Sequence, residues 1–328
     1  MDGRELTVVF RCDRKGGAVK VAVYGTGGVG GYFGGRLARG GADVHLIARG
    51  AHLEALRGHG LRVTSTKGDF EVRLPATDDP SEIGPSDYVL FSVKSFDTED
   101  AAARLAPLVG DQTAIISLQN GVDNEEKIAG VVGGSKVMGG AAYIFSTIVE
   151  PGVIAHSGGP ALLLFGEMDG TRSERAERLL EMSRRAGIDA DVPEDIRRVL
   201  WDKFAFICAQ AGMTASVRLP IGEIRTVEES WDTFRRIVVE VGAVAAAVGV
   251  ELSADTVERH LRLARDLEPG SFSSLHYDLT KGRRMELQAL HGTVVRLARR
   301  HGVPVPVSET IYAILRPWAV RNEAAATS

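Results

Sequence analysis

The stretch from Lys20 to Gly31, KVAVYGTGGVGG, constrains the fold more than any other part of the chain. Val21, Ala22, Val23 and Tyr24 form a short, nearly continuous apolar run, as expected for a strand buried on both faces. Gly25-x-Gly27-x-x-Gly30 follows, and then a helical pattern through Tyr32, Phe33, Leu37 and Ala38. A strand, a glycine turn and a helix in that order suit a dinucleotide. The first glycine allows the tight turn, the second lets backbone approach a pyrophosphate, and the third lets helix and strand pack closely. The unpaired N–H groups of the helix N-terminus would face the phosphates. Gly25, Thr26, Gly27, Gly28, Val29 and Gly30 are therefore expected to hold the cofactor; the alternative is that the glycines make only a turn.

A second strand, Asp43 to Ile47, ends at Ala48-Arg49. An NAD site usually carries an acid there for the ribose 2′-hydroxyl. Here no acid stands beside Arg49, and a guanidinium suits a 2′-phosphate, so NADP(H) is expected over NAD(H). A solvated loop arginine is the competing reading.

At 328 residues the chain has room for two domains. The net charge of −4 gives no reason to expect nucleic acid or an anionic membrane as a partner. Two cysteines far apart, Cys12 and Cys208, argue against a disulfide framework and fit a cytoplasmic location. No run of about 18 apolar residues marks a membrane span. The first 18 residues lack the apolar core of a signal peptide and read as an N-terminal extension.

After Arg49 a polar helix (Ala51 to Arg57) leads to a hairpin of Leu61–Ser65 with Phe70–Leu74. Asp87–Val93 reads as a buried strand ending at Lys94, and Ala101 to Leu108 as a helix. Thr113–Leu118 reads as a strand ending at Gln119-Asn120-Gly121. Further strands are expected at Lys136–Tyr143, Val149–His156 and Ala161–Phe165. Alternating strands and helices argue for a mostly parallel sheet, whose ligands bind beyond the strands' carboxyl ends, where Lys94 and Asn120 fall. From about Pro193 long helical periodicities take over: Asp195–Ala215, Glu229–Val248, Ala254–Leu267 and a last stretch from Ser273 to Arg300. The expected division is an extension (1–18), a dinucleotide-binding domain (19–192) and a helical domain (193–328).

Two charged residues fall within apolar stripes. On a helix over Asp195–Ala215, Val199, Leu200, Phe204, Ile207, Cys208 and Ala211 share one face, and Lys203 sits among them. A lysine in apolar surroundings loses hydration and becomes a competent proton donor near neutral pH, unless it snorkels to water. Likewise Glu286 falls on a stripe with Leu279, Leu290, Val294 and Leu297. It pairs with a buried cation, Lys203 for one, or binds a ligand hydroxyl. Ser274 lies upstream in the same segment. His52, His59, His260 and His301 read as surface or loop residues and His45 as part of a strand. With no HExxH and no Cys/His cluster, no metal is expected. Gly-x-Ser-x-Gly is also absent, against a serine hydrolase.

These pieces together resemble the ketopantoate (2-dehydropantoate) reductase family from about Val19 to Ala319. The resemblance rests on GTGGVGG with Arg49, Val93-Lys94, Gln119-Asn120-Gly121, Trp201-x-Lys203 and Ser274 with Glu286 twelve residues on. The closing His301-Gly302-Val303-Pro304 with Pro306 also carries it. It implies an α/β Rossmann domain followed by an all-α domain like the C-terminal domain of 6-phosphogluconate dehydrogenase. It also implies NADPH-dependent reduction of a 2-oxo acid to a 2-hydroxy acid, by default 2-dehydropantoate to pantoate in pantothenate biosynthesis. Carried over by motif, Lys203 would be the general acid, Lys94 and Asn120 would line the site near cofactor and substrate, Glu286 would bind a substrate hydroxyl and Ser274 the carboxylate. The family often forms homodimers, and the apolar helices of the second domain would allow one here, although the sequence does not fix the oligomeric state.

The chain departs from the family at one place. The lysine motif of the family normally continues with asparagines four and eight residues on, where this chain has Ile207 and Ala211. A more apolar pocket is expected, which opens the alternative of a bulkier or more hydrophobic 2-oxo acid. A non-catalytic NADP(H)-binding protein is the remaining alternative.

Overall fold

The computed structural model describes residues 18–327. The expected extension and Cys12 thus lie, apart from Ala18, outside the described residues. The chain falls into two compact units. One runs through Gln119 and resumes over Asn124–Ile196; the other holds Asn120–Asp123 and continues from Arg197.

The first unit is a ten-stranded sheet with helices. In chain order its elements are β1 (Lys20–Tyr24), α1 (Gly28–Arg39), β2 (Asp43–Ile47), α2 (Gly50–His59), β3 (Leu61–Ser65), β4 (Phe70–Val72), β5 (Ala76–Thr77), β6 (Tyr88–Phe91), α3 (Thr98–Ala103), β7 (Ala114–Ser117), α4 (Asn124–Val132), β8 (Val137–Glu150), β9 (Val153–Glu167), α5 (Glu174–Arg185) and β10 (Asp189–Asp191). The strand order is β4-β3-β9-β8-β7-β6-β1-β2-β5, with β10 paired to β9. All pairings are parallel except β3 with β4 and β8 with β9. Alternation along the central strands feeds two cores. Val21, Val23, Tyr88, Leu90 and Ile116 face one, packed with Phe33 and Leu37 of α1. Ala22, Tyr24, Val89, Phe91 and Ile115 face the other, with Ala102 of α3 and Ile128 of α4. The chain passes from β1 to β2 on one side and reaches β6 on the other, so the strand order reverses at β1, where such sheets bind ligands.

Two expectations for this unit change. The three strands foreseen between Lys136 and Phe165 are two long antiparallel ones, with Val149 inside β8 and one strand covering both Val153–His156 and Ala161–Phe165. The break is the Pro151-Gly152 turn (Gly152 φ +80), and register shifts between Tyr143 and Glu150 blur the alternation that would have shown the continuity. The helix foreseen over Ala101–Leu108 ends at Ala103, and Ala106–Leu108 is a separate 3-10 turn around Pro107.

The second unit is helical: α6 (Ile196–Val217), α7 (Ile221–Ile224), α8 (Glu228–Ala247), α9 (Thr256–Asp266), α10 (Ser274–Thr280), α11 (Thr293–His301) and α12 (Pro306–Thr327). Its core gathers Phe204, Cys208, Met213, Phe234, Val241, Leu287, Val294 and Leu315. From Phe204 to Ala215 nearly every residue of α6 is buried, so the apolar surface wraps the helix instead of forming one stripe. All three tryptophans lie in this unit, Trp201 edge-on to Phe204 and Trp231 stacked on Phe234. Among the described residues no helix is long and apolar enough to cross a membrane.

The continuous helix expected from Ser273 to Arg300 does not form. It stops after Thr280, where Gly282 (φ +64) closes a Schellman-type end: Arg283 N–H donates to Asp278 O at 2.8 Å and Gly282 N–H to Leu279 O at 3.3 Å. A π-helical turn over Gln288–Gly292 then leads into α11. Leu279 and Leu290 therefore belong to separate elements, although their spacing fits one helical stripe. The expectation of a surface His260 also fails: it is 2 % exposed, with Nε2 3.3 Å from Asp202 Oδ2.

Candidate active site

In the first unit the glycine loop between β1 and α1 behaves as three separate geometric demands. Gly25 has φ +96, and a Cβ there would stand 2.7 Å from the backbone nitrogen of Val93. At Gly30 a methyl would collide with Ser92 Oγ and the Gly25 carbonyl; Ser92 Oγ already donates to that carbonyl at 2.7 Å. Beside Gly27, by contrast, a Cβ would meet nothing within 4 Å. The missing side chain there opens space for a ligand to approach the backbone. Thr26 is buried and its Oγ1 donates to Ile47 O at 3.1 Å, tying the loop to the end of β2. Gly28 and Val29 form the first turn of α1, which has no side-chain cap and no acidic residue. Its N–H groups and its positive dipole end suit a pyrophosphate.

Three further positions lie at the carboxyl ends of the strands beside this loop. Arg49 follows β2 as the N-cap of α2, with Gly50 at φ +58 turning the chain. Its guanidinium donates to Asp97 Oδ2 at 2.7 Å. Lys94, exposed after β6, opens the 3-10 turn Ser95–Asp97. Tyr24, the last residue of β1, has its phenol pushed up by burial, with the charges of Arg104 and Arg49 pulling the other way. After β7, Gln119 Nε2 donates to Val93 O at 2.9 Å and to Thr98 Oγ1 at 2.7 Å, fixing the chain immediately before Asn120.

In the second unit the structure brings together Asn120 and Lys203, two residues 83 positions apart: Lys203 Nζ donates to Asn120 Oδ1 at 3.2 Å. Lys203 is partly buried on α6, between the core residues Leu200 and Phe204. Its neighbour Asp202 faces α9. Burial alone would raise that carboxyl, but hydrogen bonds and charges from His260 and Arg259 outweigh it and hold it well below the usual range. The start of α6 is thereby anchored beside the lysine. Glu286, also partly buried, lies in the turn before the π-helical segment and its carbonyl accepts from Leu290 N–H at 3.2 Å. Ser274 is exposed as the first residue of α10. Its neighbour Ser273 is the buried one, capping the helix through His276 N–H and bonded to Thr214 Oγ1 at 2.7 Å. Of the two positions expected to make the pocket apolar, Ile207 is partly buried, whereas Ala211 is 1 % exposed and belongs to the core.

Two residues of interest escape the sequence reading. Asp97, the partner of Arg49, is signalled only by an acid before Thr98 at a helix start. His291 is fully buried in the π-helical turn; the Cys208 carbonyl can only accept, so its Nε2 carries the hydrogen that bonds there at 3.0 Å. A Cβ on Gly212 would stand 2.5 Å from that nitrogen, so the ring fits only because position 212 has none.

Comparison with known proteins gives the family. Residues 21–170 match the ketopantoate reductase PanE/ApbA family model, and residues 195–319 match the model of its C-terminal part. A 2-dehydropantoate 2-reductase of Mesorhizobium japonicum is 31 % identical over 325 residues, covering 93 % of this chain and 99 % of that protein. The crystal structure of a PanE/ApbA family ketopantoate reductase from Ralstonia eutropha JMP134 superposes with a TM-score of 0.86 at 33 % identity, covering 93 % of this chain and all of the other. D-mandelate dehydrogenase, in a ternary structure with NADH and anilino(oxo)acetate, shares the fold at 20 % identity (TM-score 0.85, 93 % and 99 % covered). With both halves matched in order and relatives aligned end to end, the chain belongs to the ketopantoate reductase PanE/ApbA family.

Proposed function

We propose that this oxidoreductase uses NADPH to reduce a 2-oxo acid to the 2-hydroxy acid, with 2-dehydropantoate as the substrate and pantoate as the product. The observation that carries the reading is the Lys203–Asn120 contact, which presents a partly buried ammonium, oriented by an amide, in a chain whose other unit holds a dinucleotide cradle. Relatives covering 93 % and 90 % of the chain bear the name 2-dehydropantoate 2-reductase, which supports the substrate.

Bound NADPH would supply a hydride to the carbonyl carbon. As the C–H bond forms, the carbonyl π electrons move to oxygen, and Lys203 both stabilises the growing negative charge and delivers the proton that completes the hydroxyl. Asn120 accepts from Lys203 Nζ and limits the directions in which its remaining hydrogens point. Glu286 accepts from a substrate hydroxyl, and Ser274 donates to the carboxylate. Gly25–Gly30 bind the pyrophosphate, Arg49 the 2′-phosphate, and Lys94 lines the site near the cofactor.

A second reading keeps the chemistry and changes the acid. Ile207, partly buried on α6 one turn beyond Lys203, favours a substrate with a larger apolar group. The test is NADPH oxidation with ketopantoate and with a panel of larger 2-oxo acids. Preferred turnover of ketopantoate supports the first reading and preference for a larger acid the second. Lys203→Ala should lower kcat by about 10²- to 10⁴-fold while leaving NADPH binding within about twofold. An unchanged kcat would remove Lys203 as the acid.

A further inference from the structure

The arginine assigned to the 2′-phosphate does not stand alone. Arg49 and Asp97 follow β2 and β6, the two strands flanking β1, so their ion pair joins the segments beyond the strand ends where strand order reverses. The arginine side chain is 72 % exposed and the aspartate 25 %, which leaves the pair within reach of a ligand. Asp97 ends the 3-10 turn that runs into α3, and with φ −101 and ψ 1 its side chain makes no capping bond and is turned to Arg49 instead. Backbone geometry on both sides holds the arrangement: Asp97 N–H donates to Lys94 O at 2.8 Å, and Gly50, at φ +58, sets the turn after Arg49.

We propose that Asp97 is a specificity-determining residue for the cofactor. It occupies the guanidinium in the free protein, repels a 2′-phosphate that approaches Arg49, and accepts from a ribose 2′-hydroxyl. A carboxylate on the 2′-hydroxyl is the usual NAD arrangement, here supplied from the loop after β6 instead of the end of β2. Arg49 favours NADPH and Asp97 favours NADH, so the pair draws the two affinities together. The proposal rests on the reading that Arg49 meets the 2′-phosphate.

Dissociation constants for NADPH and NADH, measured calorimetrically without substrate, test both layers. Asp97→Asn keeps the size of the side chain and removes its charge. It should tighten NADPH about three- to tenfold, most at low ionic strength, and should not tighten NADH. Asp97→Glu, which retains the charge, should stay within about twofold of the parent for NADPH. Weaker NADPH binding in Asp97→Asn would make the aspartate an orienting partner of Arg49 and overturn the proposal, as would unchanged constants for both cofactors. Arg49→Gln separates the underlying reading: a loss confined to NADPH upholds it, whereas equal losses remove the 2′-phosphate assignment whatever Asp97 does.

Discussion

His291 lies in the core of the helical unit, and burial pushes its imidazole down to about 4, with only partial compensation from the Cys208 carbonyl. The unfolded chain takes up a proton near the ordinary value of about 6.5, which the native ring refuses until about 4. The contribution is therefore complete above pH 6.5 and is lost as pH falls towards 4, by up to about 3 kcal/mol. Urea unfolding at pH 7 and at pH 4.5 should show this loss, and His291→Gln should flatten that part of the slope. The two positions that depart from the family also separate at this scale. Ile207→Asn should shift preference towards ketopantoate in a competition assay, with folding intact. Ala211→Asn places an amide in a closed core and should destabilise the fold by about 1–3 kcal/mol in the same urea titration.

Among the elements, the break between α10 and α11 sets the position of Glu286. Gly282 holds a positive φ, and Asn322 of α12 donates from Nδ2 to Arg283 O at 2.8 Å and Asp278 O at 3.3 Å, closing off the backbone groups that the break exposes. Gly282→Ala should cost about 1 kcal/mol in thermal unfolding and raise KM for the 2-oxo acid more than it lowers kcat, because it disturbs the turn leading to Glu286. This element was not legible in advance. Leu279, Leu290 and Val294 satisfy a 3.6-residue period across the break, and a single glycine is tolerated in many helices. A π turn leaves no periodic mark, and α5 and α12 are not among the helices that the sequence predicts. The sheet was far more legible. Its strands are short apolar runs or alternating segments, so Lys20–Tyr24, Asp43–Ile47 and Leu61–Ser65 could be placed closely. Lys203 stood out because a charge amid apolar residues is conspicuous. Asp97 did not, because its meaning depends on a partner 48 residues away.

For the whole molecule, the glycine loop Gly25–Gly30 belongs to one unit and Lys203 to the other. At a hundredfold excess over its dissociation constant NADPH should stabilise the folded chain by about 2.7 kcal/mol, and the thermal shift with NADPH should fall in Arg49→Gln. The tryptophans give that experiment a second channel. Trp201, Trp231 and Trp318 are the only three in the chain, and all reside among the helices. Indole emission is thus an optical label written into one half of the protein, while the far-UV signal reports on the backbone of both. Following both colours during a single melt turns an ordinary denaturation into a measurement of how far cofactor binding propagates along the chain.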